Sequence, residues 1–229
     1  RLRSSAFTTD FDYSTLNLTA VNNHRLGQLA IRARSHLEYS FGTRIAPASR
    51  LMLAGARSER LMDEPLTRAR GYIPDDWLGF GPEVNNFHYG GGLNLRGYAG
   101  YQAPYSLNGD QELTFQGTAG GALNVEVEFD DYIPLLAGSS LSRFFSLDAY
   151  AFGDVGVINA NSISSSLELA NVRGDAGLGT ALTIDQWGPL DEAKPLTLRL
   201  DAPLYLSHVP ADGGDNFDLR WLVGLERAF

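Results

Sequence analysis

Long alternations between apolar and charged side chains constrain this chain more than any other feature. In residues 26–41 one side carries Leu29, Ile31, Ala33, Leu37, Tyr39 and Phe41, and the other carries Gln28, Arg32, Arg34, His36, Glu38 and Ser40. Successive side chains of a β-strand point to opposite faces, so the pattern predicts a strand with one apolar and one charged face. The run covers about 16 residues, well above the ~5–6 that are commonest for strands.

Seven further segments show the same two-residue period with varying clarity. Before the centre of the chain they are residues 7–20, followed by an expected turn at 21–24, and residues 46–58. After the centre they are residues 112–130, 144–158, 172–184, 196–202 and 216–229. Eight strand segments without a credible helix predict an all-β fold.

The segment 59–110 breaks this periodicity. It holds four prolines and many glycines. A loop of that length inside a compact domain is uncommon unless it has a function of its own. We therefore expect a long functional loop, in which the glycine-rich stretch 87–98 ends with Arg96, Gly97 and Tyr98.

The composition limits the possible functions. Of 229 residues, 44% are hydrophobic, and the net charge of -9 argues against a protein that tracks nucleic-acid phosphates. There are no cysteines, which excludes disulfide bonds and thiolate metal sites. No apolar run approaches the ~18–20 residues of a membrane helix, but a membrane-spanning β-strand needs only about 9–11 residues with one apolar face.

Two folds could accommodate strands with one apolar and one charged face. A soluble β-sandwich buries the apolar faces between two sheets, whereas a transmembrane barrel turns them to lipid and keeps charge in a wet lumen. The connections favour the barrel. Segments 21–25, 59–110, 159–165 and 207–215 fall on one side, and 42–46, 131–141 and 185–195 fall on the other. With the C-terminus in the periplasm, the long loop is extracellular, as long loops of such barrels are.

The sequence thus predicts an antiparallel transmembrane β-barrel domain over residues 1–229, in the outer membrane of a Gram-negative bacterium and surrounded by lipid and lipopolysaccharide. A closed eight-stranded barrel is only wide enough for its own side chains. These strands would have to enclose many charges and part of a long loop, so we expect part of a larger barrel. An aromatic girdle near the periplasm is expected from Tyr39, Phe41, Phe129, Tyr132, Phe144, Phe145, Trp187 and Phe229.

Five short motifs follow one another along the chain. They are Leu95-Arg96-Gly97-Tyr98, Gly120-Gly121 with Glu128-Phe129, Phe152-Gly153-Asp154-Val155-Gly156, Gly177-Leu178-Gly179 with Gly188-Pro189-Leu190, and the terminal Phe229. In these motifs the chain resembles the Omp85 superfamily, also called the bacterial surface antigen family. The resemblance implies the C-terminal half of a 16-stranded barrel with the long loop folded into its lumen, and an outer-membrane assembly signal at Phe229. Arg227 departs from that signal, which usually has an aromatic or apolar residue there, and the family's POTRA modules and first barrel half are not in this sequence.

The alternation of side chains along the strands predicts which carboxylate pairs with Arg96. Asp154 and Glu128 fall on the polar faces of neighbouring predicted strands, and a guanidinium suits bidentate pairing with a carboxylate. We expect Arg96 to fold back into the lumen and pair with Asp154, with Glu128 nearby. The alternative is a surface arginine in a mobile loop.

Residues around Arg96 are expected to shape the loop tip and its seat. Gly97 allows a tight backbone turn, and Tyr98 can pack the tip against the barrel wall. Gly90-Gly91-Gly92 supplies a hinge. By the resemblance, Phe152 and Gly156 belong to the same wall motif as Asp154.

Catalysis has little support in the sequence. The four histidines are scattered, and no metallopeptidase, serine-hydrolase, P-loop or dinucleotide motif is present. Loop acids that could bind Ca²⁺ lack EF-hand spacing and are more simply solvated: Asp110, Asp212, Asp215 and Asp218. A polar ladder could line a conduction path or form a solvated interior face: Arg32, Arg34, His36 and Glu38. We predict no catalytic, cofactor or metal site in this chain.

Three functions remain open. The first is insertion and assembly, or translocation, of proteins at the outer membrane, with protein clients or assembly-complex subunits as partners. The second is a membrane anchor for an upstream enzyme domain, such as a metallopeptidase or a patatin-like lipase. The third and least favoured is a soluble β-sandwich binding module. No nucleic-acid partner is expected for any of them.

Overall fold

The computed structural model describes residues 2–3, 10–57, 59–60, 87–99, 105–107, 111–113, 116–129, 142, 144–159, 167, 171–185, 195–209, 215–225 and 227–229. Its strands are β1 (Leu2–Arg3), β2 (Asp12–Leu26), β3 (Leu29–Arg44), β4 (Leu51–Met52), β5 (Phe87–Tyr89), β6 (Tyr105–Leu107), β7 (Gln111–Leu113), β8 (Gln116–Gly117), β9 (Ala119–Glu128), β10 (Phe145–Ile158), β11 (Val172–Ile184), β12 (Leu196–Leu206) and β13 (Leu222–Leu225). Two 3-10 turns lie at Pro47–Ser49 and Arg96–Tyr98. Among these residues no helix has the length and apolar character needed to cross a membrane.

One large sheet dominates the described structure. Its strand order is β1-β2-β3-β9-β10-β11-β12-β13-β5. Neighbours from β1 to β13 are antiparallel, whereas β5 runs parallel to β13. The sheet is curled like half a barrel, and in the described residues it ends at β1 and β5. The predicted all-β architecture is confirmed, and the sheet that carries it is open.

The two faces of this sheet have inverted burial. On β3, Arg34, His36 and Glu38 are buried, whereas Leu37 is 57% exposed and Phe41 is 53% exposed. The same holds elsewhere on the convex face for Leu16, Leu18, Leu123, Val155, Leu178, Leu198, Leu200, Phe217, Leu219 and Trp221. The alternation read from the sequence therefore separates a charged concave face from an apolar convex face.

The predicted boundaries hold well for β10 and β11 and less well at the N-terminal hairpin. The turn expected at 21–24 was wrong, because β2 continues to Leu26 and pairs in register with β3 down to Leu26 opposite Leu29. The chain reverses instead at Gly27, whose φ of 64° suits a two-residue hairpin. The strand predicted at 196–202 extends further, to Leu206.

The segment 46–58 was wrongly predicted as a strand. Its described part, residues 46–57, contains the 3-10 turn Pro47–Ser49 and only the short strand β4, which pairs with β8 outside the main sheet. Leu51 and Leu53 are buried in one apolar cluster with Leu93, Leu95, Tyr98, Ile158 and Leu206. Packing beneath the long loop, rather than sheet pairing, explains the apolar spacing of this segment.

The terminal strand is also shorter than predicted. In the described part of the segment 216–229 only Leu222–Leu225 forms a strand, β13, although Phe217 makes an isolated bridge with Tyr205. Beyond Leu225 strand alternation no longer sets side-chain direction. Continued alternation with Val223 and Leu225 would place Arg227 and Phe229 on the apolar face, but both lie on the concave side.

Several predictions fall outside the described residues. They concern most of the loop 59–110, together with Gly188-Pro189-Leu190, Tyr132, Trp187, Asp110 and Asp212. Of the expected girdle, Tyr39, Phe41 and Phe144 are exposed. The rings of Tyr39 and Phe41 stack with their centroids 5.9 Å apart.

Candidate functional site

The loop tip that carries Arg96 is held by backbone hydrogen bonds to the last residue of β4 and to the residue that follows it. Leu93 N–H donates to Met52 O at 3.1 Å, and Leu95 N–H donates to Leu53 O at 3.1 Å. Just before these contacts Gly92 adopts a φ of 57°, and a Cβ there would lie 2.6 Å from Met52 O. The glycine thus permits a close approach of two backbones that no other residue allows.

Arg96 is fully buried against the concave wall. Its Nε donates to Asp154 Oδ2 at 2.8 Å, its Nη2 donates to Asp154 Oδ1 at 3.0 Å, and its backbone N–H donates to Oδ2 at 3.2 Å. Nη1 donates to Glu126 Oε1 at 2.5 Å. Burial alone would lower the pKa of the guanidinium, but Asp154 and Glu126 raise it above its ordinary value, so Arg96 stays charged. Asp154 is the partner that the sequence predicts.

Glu126, not Glu128, is the second carboxylate on Arg96. Both glutamates share the concave face of β9, but the register places Glu126 opposite Phe152 and Glu128 opposite Tyr150, one pleat further from Asp154. Glu128 instead contacts Arg227 and lies 3.1 Å from Nε of Arg32. The expectation that Glu128 lies beside Arg96 was therefore wrong: the acid that contacts Arg96 is two residues earlier on the same face of β9.

Aromatic rings flank the guanidinium. Arg96 Cζ lies 3.9 Å from the ring centroid of Phe152 and 6.0 Å from that of Phe229. Both distances are within the range of cation–π attraction. Phe152 thus contacts the loop tip directly, and the terminal residue reaches the same site from the C-terminal end of the chain.

Gly156 and Gly97 make this close seating possible. A Cβ at Gly156 would lie 2.8 Å from Leu95 Cδ1. A Cβ at Gly97 would clash with Leu206 and would lie 2.7 Å from Asp175 Cβ. Glycine is needed at both positions because the loop tip and the wall meet there without room for a methyl group.

Tyr98 anchors the far side of the tip. Its ring is fully buried in the apolar cluster, and its hydroxyl accepts a hydrogen bond from His208 N–H at 3.2 Å and lies 3.4 Å from Ser207 Oγ. Burial raises the pKa of the Tyr98 phenol above its ordinary value, so it remains neutral. The side chain packs the tip against the end of β12, as expected.

Asn124 is a site residue that sequence reasoning did not single out. Its Nδ2 is a donor and lies 3.2 Å from Leu93 O, 3.1 Å from Asn94 O and 3.1 Å from Asp154 Oδ1. Its Oδ1 accepts a hydrogen bond from Arg34 Nη1 at 2.8 Å. It is fully buried. Its position on the polar face of β9, directly opposite Asp154, was the available signal.

The predicted ladder is an interior face of paired charges. Arg34 donates from Nη2 to Gly92 O at 2.7 Å, Glu38 contacts Arg57, and His36 Nδ1 lies 2.7 Å from Thr19 Oγ1. These side chains border a cavity of about 760 Å³ between β2, β3, the loop and the C-terminal residues.

Arg227 joins this interior from the C-terminus. Its Nη1 donates to Asp148 Oδ2 at 3.0 Å, and its Nη2 contacts Glu128. A charged residue at this position is unexpected on an outward strand face. The structure explains the charge at this position, because β13 ends at Leu225 and the Arg227 side chain points toward acids on β9 and β10.

A second buried polar cluster joins the loop to the wall. His88 Nδ1 lies 2.5 Å from Arg199 Nη2, Arg199 Nη1 lies 2.9 Å from Asp201 Oδ2, and the Tyr150 hydroxyl donates to Asp201 Oδ1 at 2.6 Å. Strand alternation alone puts Tyr150, Arg199 and Asp201 on polar faces, but nothing in the sequence indicates a partner for His88.

Within the described ranges no group of three or more His, Asp or Glu side chains is arranged to hold a metal ion. Of the loop acids considered for Ca²⁺, Asp215 and Asp218 are exposed.

Fold and site together define an open, curled β-sheet whose charged concave face holds a loop through a buried arginine. The sequence matches no protein-family model, and a search of curated proteins finds no significant similarity. The motif residues and their geometry therefore carry the functional argument.

Proposed function

We propose that this chain is part of an outer-membrane β-barrel of the Omp85 type that inserts, assembles or translocates other proteins. The observation that carries the membrane placement is the inverted burial of the sheet. Arg34 and Glu38 are buried on its concave face, whereas Leu16 is 70% exposed and Leu37 is 57% exposed on its convex face.

Lipid accounts for the convex face better than water does. Burying a leucine-sized side chain away from water is worth about 1.5–3 kcal/mol, and the convex face leaves this unrealised at many positions. In a bilayer the same side chains meet hydrocarbon, and the charged face stays wet. The arrangement argues against a β-sandwich, because among the described residues the face that packs against the loop is the charged one.

The buried loop supports the Omp85 type within this class. The motif Arg96–Tyr98 is seated on the wall strand by a bidentate ion pair, and glycine at 97 and 156 is required for the fit. A transmembrane sheet cannot leave strand edges in lipid. We therefore propose that further strands close the barrel beside the open ends of the described sheet.

Reconstitution tests the activity. The protein would be inserted into liposomes, and a urea-denatured small outer-membrane barrel protein would be added as client. We expect the client to fold several-fold faster than with empty liposomes or with liposomes that contain an unrelated barrel. Equal rates, with the protein shown to be inserted, would contradict an insertion activity and favour the anchor function. Failure of the protein to associate with liposomes would contradict the membrane placement.

A further inference from the structure

The long loop has a second contact point, at the edge of the last strand. β5 pairs with β13 in parallel, with Phe87 opposite Val223 and Tyr89 opposite Leu225. β12 occupies the other edge of β13. In the described structure, β5 thus covers the edge of the last strand that would otherwise be free to pair.

His88 holds β5 in place through its contact with Arg199 on β12. It stands opposite Gly224 in the β5–β13 register, and a Cβ at Gly224 would clash with the guanidinium of Arg199. Arg199 passes beneath this glycine and places Nη2 2.5 Å from His88 Nδ1. An arginine can only donate, so Nδ1 must accept, and the contact requires a neutral imidazole with its proton on Nε2.

The described residues around His88 offer no ready compensation for a charge on it. Arg199 and Arg96 both act on it with positive charge. The nearby carboxylate of Asp201 is already engaged by Arg199 at 2.9 Å and by the Tyr150 hydroxyl at 2.6 Å. His88 and Arg199 are each at most 2% exposed, so water cannot screen the repulsion.

We propose that His88 is a pH-sensitive latch: protonation of Nδ1 puts two cations in contact, breaks the contact with Arg199, releases β5 and uncovers the edge of β13. The inference concerns the loop and does not depend on the transport activity proposed above. A histidine that is neutral when closed and titrates near pH 6.5 when open favours opening as pH falls below about 6.5. Between about pH 7.5 and about pH 5.0 the closed-to-open ratio should fall roughly 30-fold.

Hydrogen exchange tests the latch. The protein in detergent micelles would be exchanged at both pH values, and protection of peptides covering Phe87–Tyr89 would be calculated relative to the intrinsic exchange rate at each pH. Peptides from β10 and β11 serve as internal references. We expect roughly 30-fold less protection of β5 at the lower pH, with the reference strands unchanged.

His88→Asn is the matched variant, because asparagine Oδ1 takes the place of Nδ1 as an acceptor and does not titrate. It should keep β5 protected at both pH values, whereas His24→Gln, at an exposed histidine, should retain the wild-type pH dependence. If β5 in the wild type keeps its protection at the lower pH, or if His88→Asn loses it as the wild type does, the latch is wrong. Should His88→Asn not fold, the wild-type comparison between β5 and the reference strands still decides.

Discussion

Asp154 accepts three hydrogen bonds from Arg96, two from the guanidinium and one from the backbone N–H, although the two residues are 58 positions apart in the chain. The contact joins the tip of a long loop to the middle of a wall strand. Because neither side chain can exchange its partner for water, the pair is either made or left as an uncompensated buried charge.

Arg96→Ala removes one member of this pair and leaves the buried Asp154 without its bidentate cation. The free energy of unfolding should fall by about 3–5 kcal/mol. Urea titration in detergent micelles measures the change, with Arg44→Ala, at an exposed arginine near the end of β3, as the control. Equal unfolding midpoints for the two variants would show that the ion pair does not stabilise the fold.

Glu126→Gln and Glu128→Gln compare how much two acids on the same face of β9 contribute to stability. Glu126 contacts Arg96 and its side chain is 1% exposed, whereas Glu128 is 12% exposed and serves Arg227 and Arg32. Glu126→Gln should lower the unfolding free energy by about 1–3 kcal/mol, and Glu128→Gln by less. The reverse order, measured by the same urea titration, would mean that the register between β9 and β10 differs from that described.

Asn124→Leu tests the residue that ties the loop backbone to the wall. The substitution leaves the carbonyls of Leu93 and Asn94 without their donor, and each buried unsatisfied group costs about 1–3 kcal/mol. The loop should then detach more often, so limited proteolysis should cut it faster than in the wild type. Asn22→Leu, at an exposed position on β2, should leave the cleavage rate unchanged. Unchanged cleavage in Asn124→Leu would remove Asn124 from the site.

Gly156→Ala and Gly153→Ala place the same methyl group on opposite faces of β10. At Gly156 the new Cβ would lie 2.8 Å from Leu95 Cδ1, whereas at Gly153 the nearest atom would be 3.9 Å away. We expect Gly156→Ala to lower the unfolding free energy by about 1–3 kcal/mol and Gly153→Ala to have little effect. Thermal unfolding of both variants measures this, and equal midpoints would argue against a loop packed tightly on this wall.

The alternation of side-chain direction along each strand made much of the fold and part of the site predictable. Alternation depends only on strand geometry, so the inward direction of Glu38 and Asp154 could be predicted from the sequence without knowledge of pairing. Register is a different matter, because Glu126 and Glu128 have the same parity and only the pairing of β9 with β10 distinguishes them.

The contacts made by the long loop could not be predicted from local sequence patterns. The parallel pairing of β5 with β13 and the approach of His88 to Arg199 join segments more than 100 residues apart, and no periodicity specifies them. The misassigned segment 46–58 has the same origin, since its apolar residues pack under the loop.

The most direct test of the membrane placement is thiol labelling at the convex face. Since the chain has no cysteine, Leu37→Cys introduces a single thiol at an exposed apolar position, and Gln28→Cys introduces one in the exposed β2–β3 turn. In liposomes, a membrane-impermeant maleimide should label Gln28→Cys and spare Leu37→Cys until the bilayer is dissolved in denaturant. Labelling of Leu37→Cys in intact liposomes at the rate of Gln28→Cys would contradict a lipid-facing sheet.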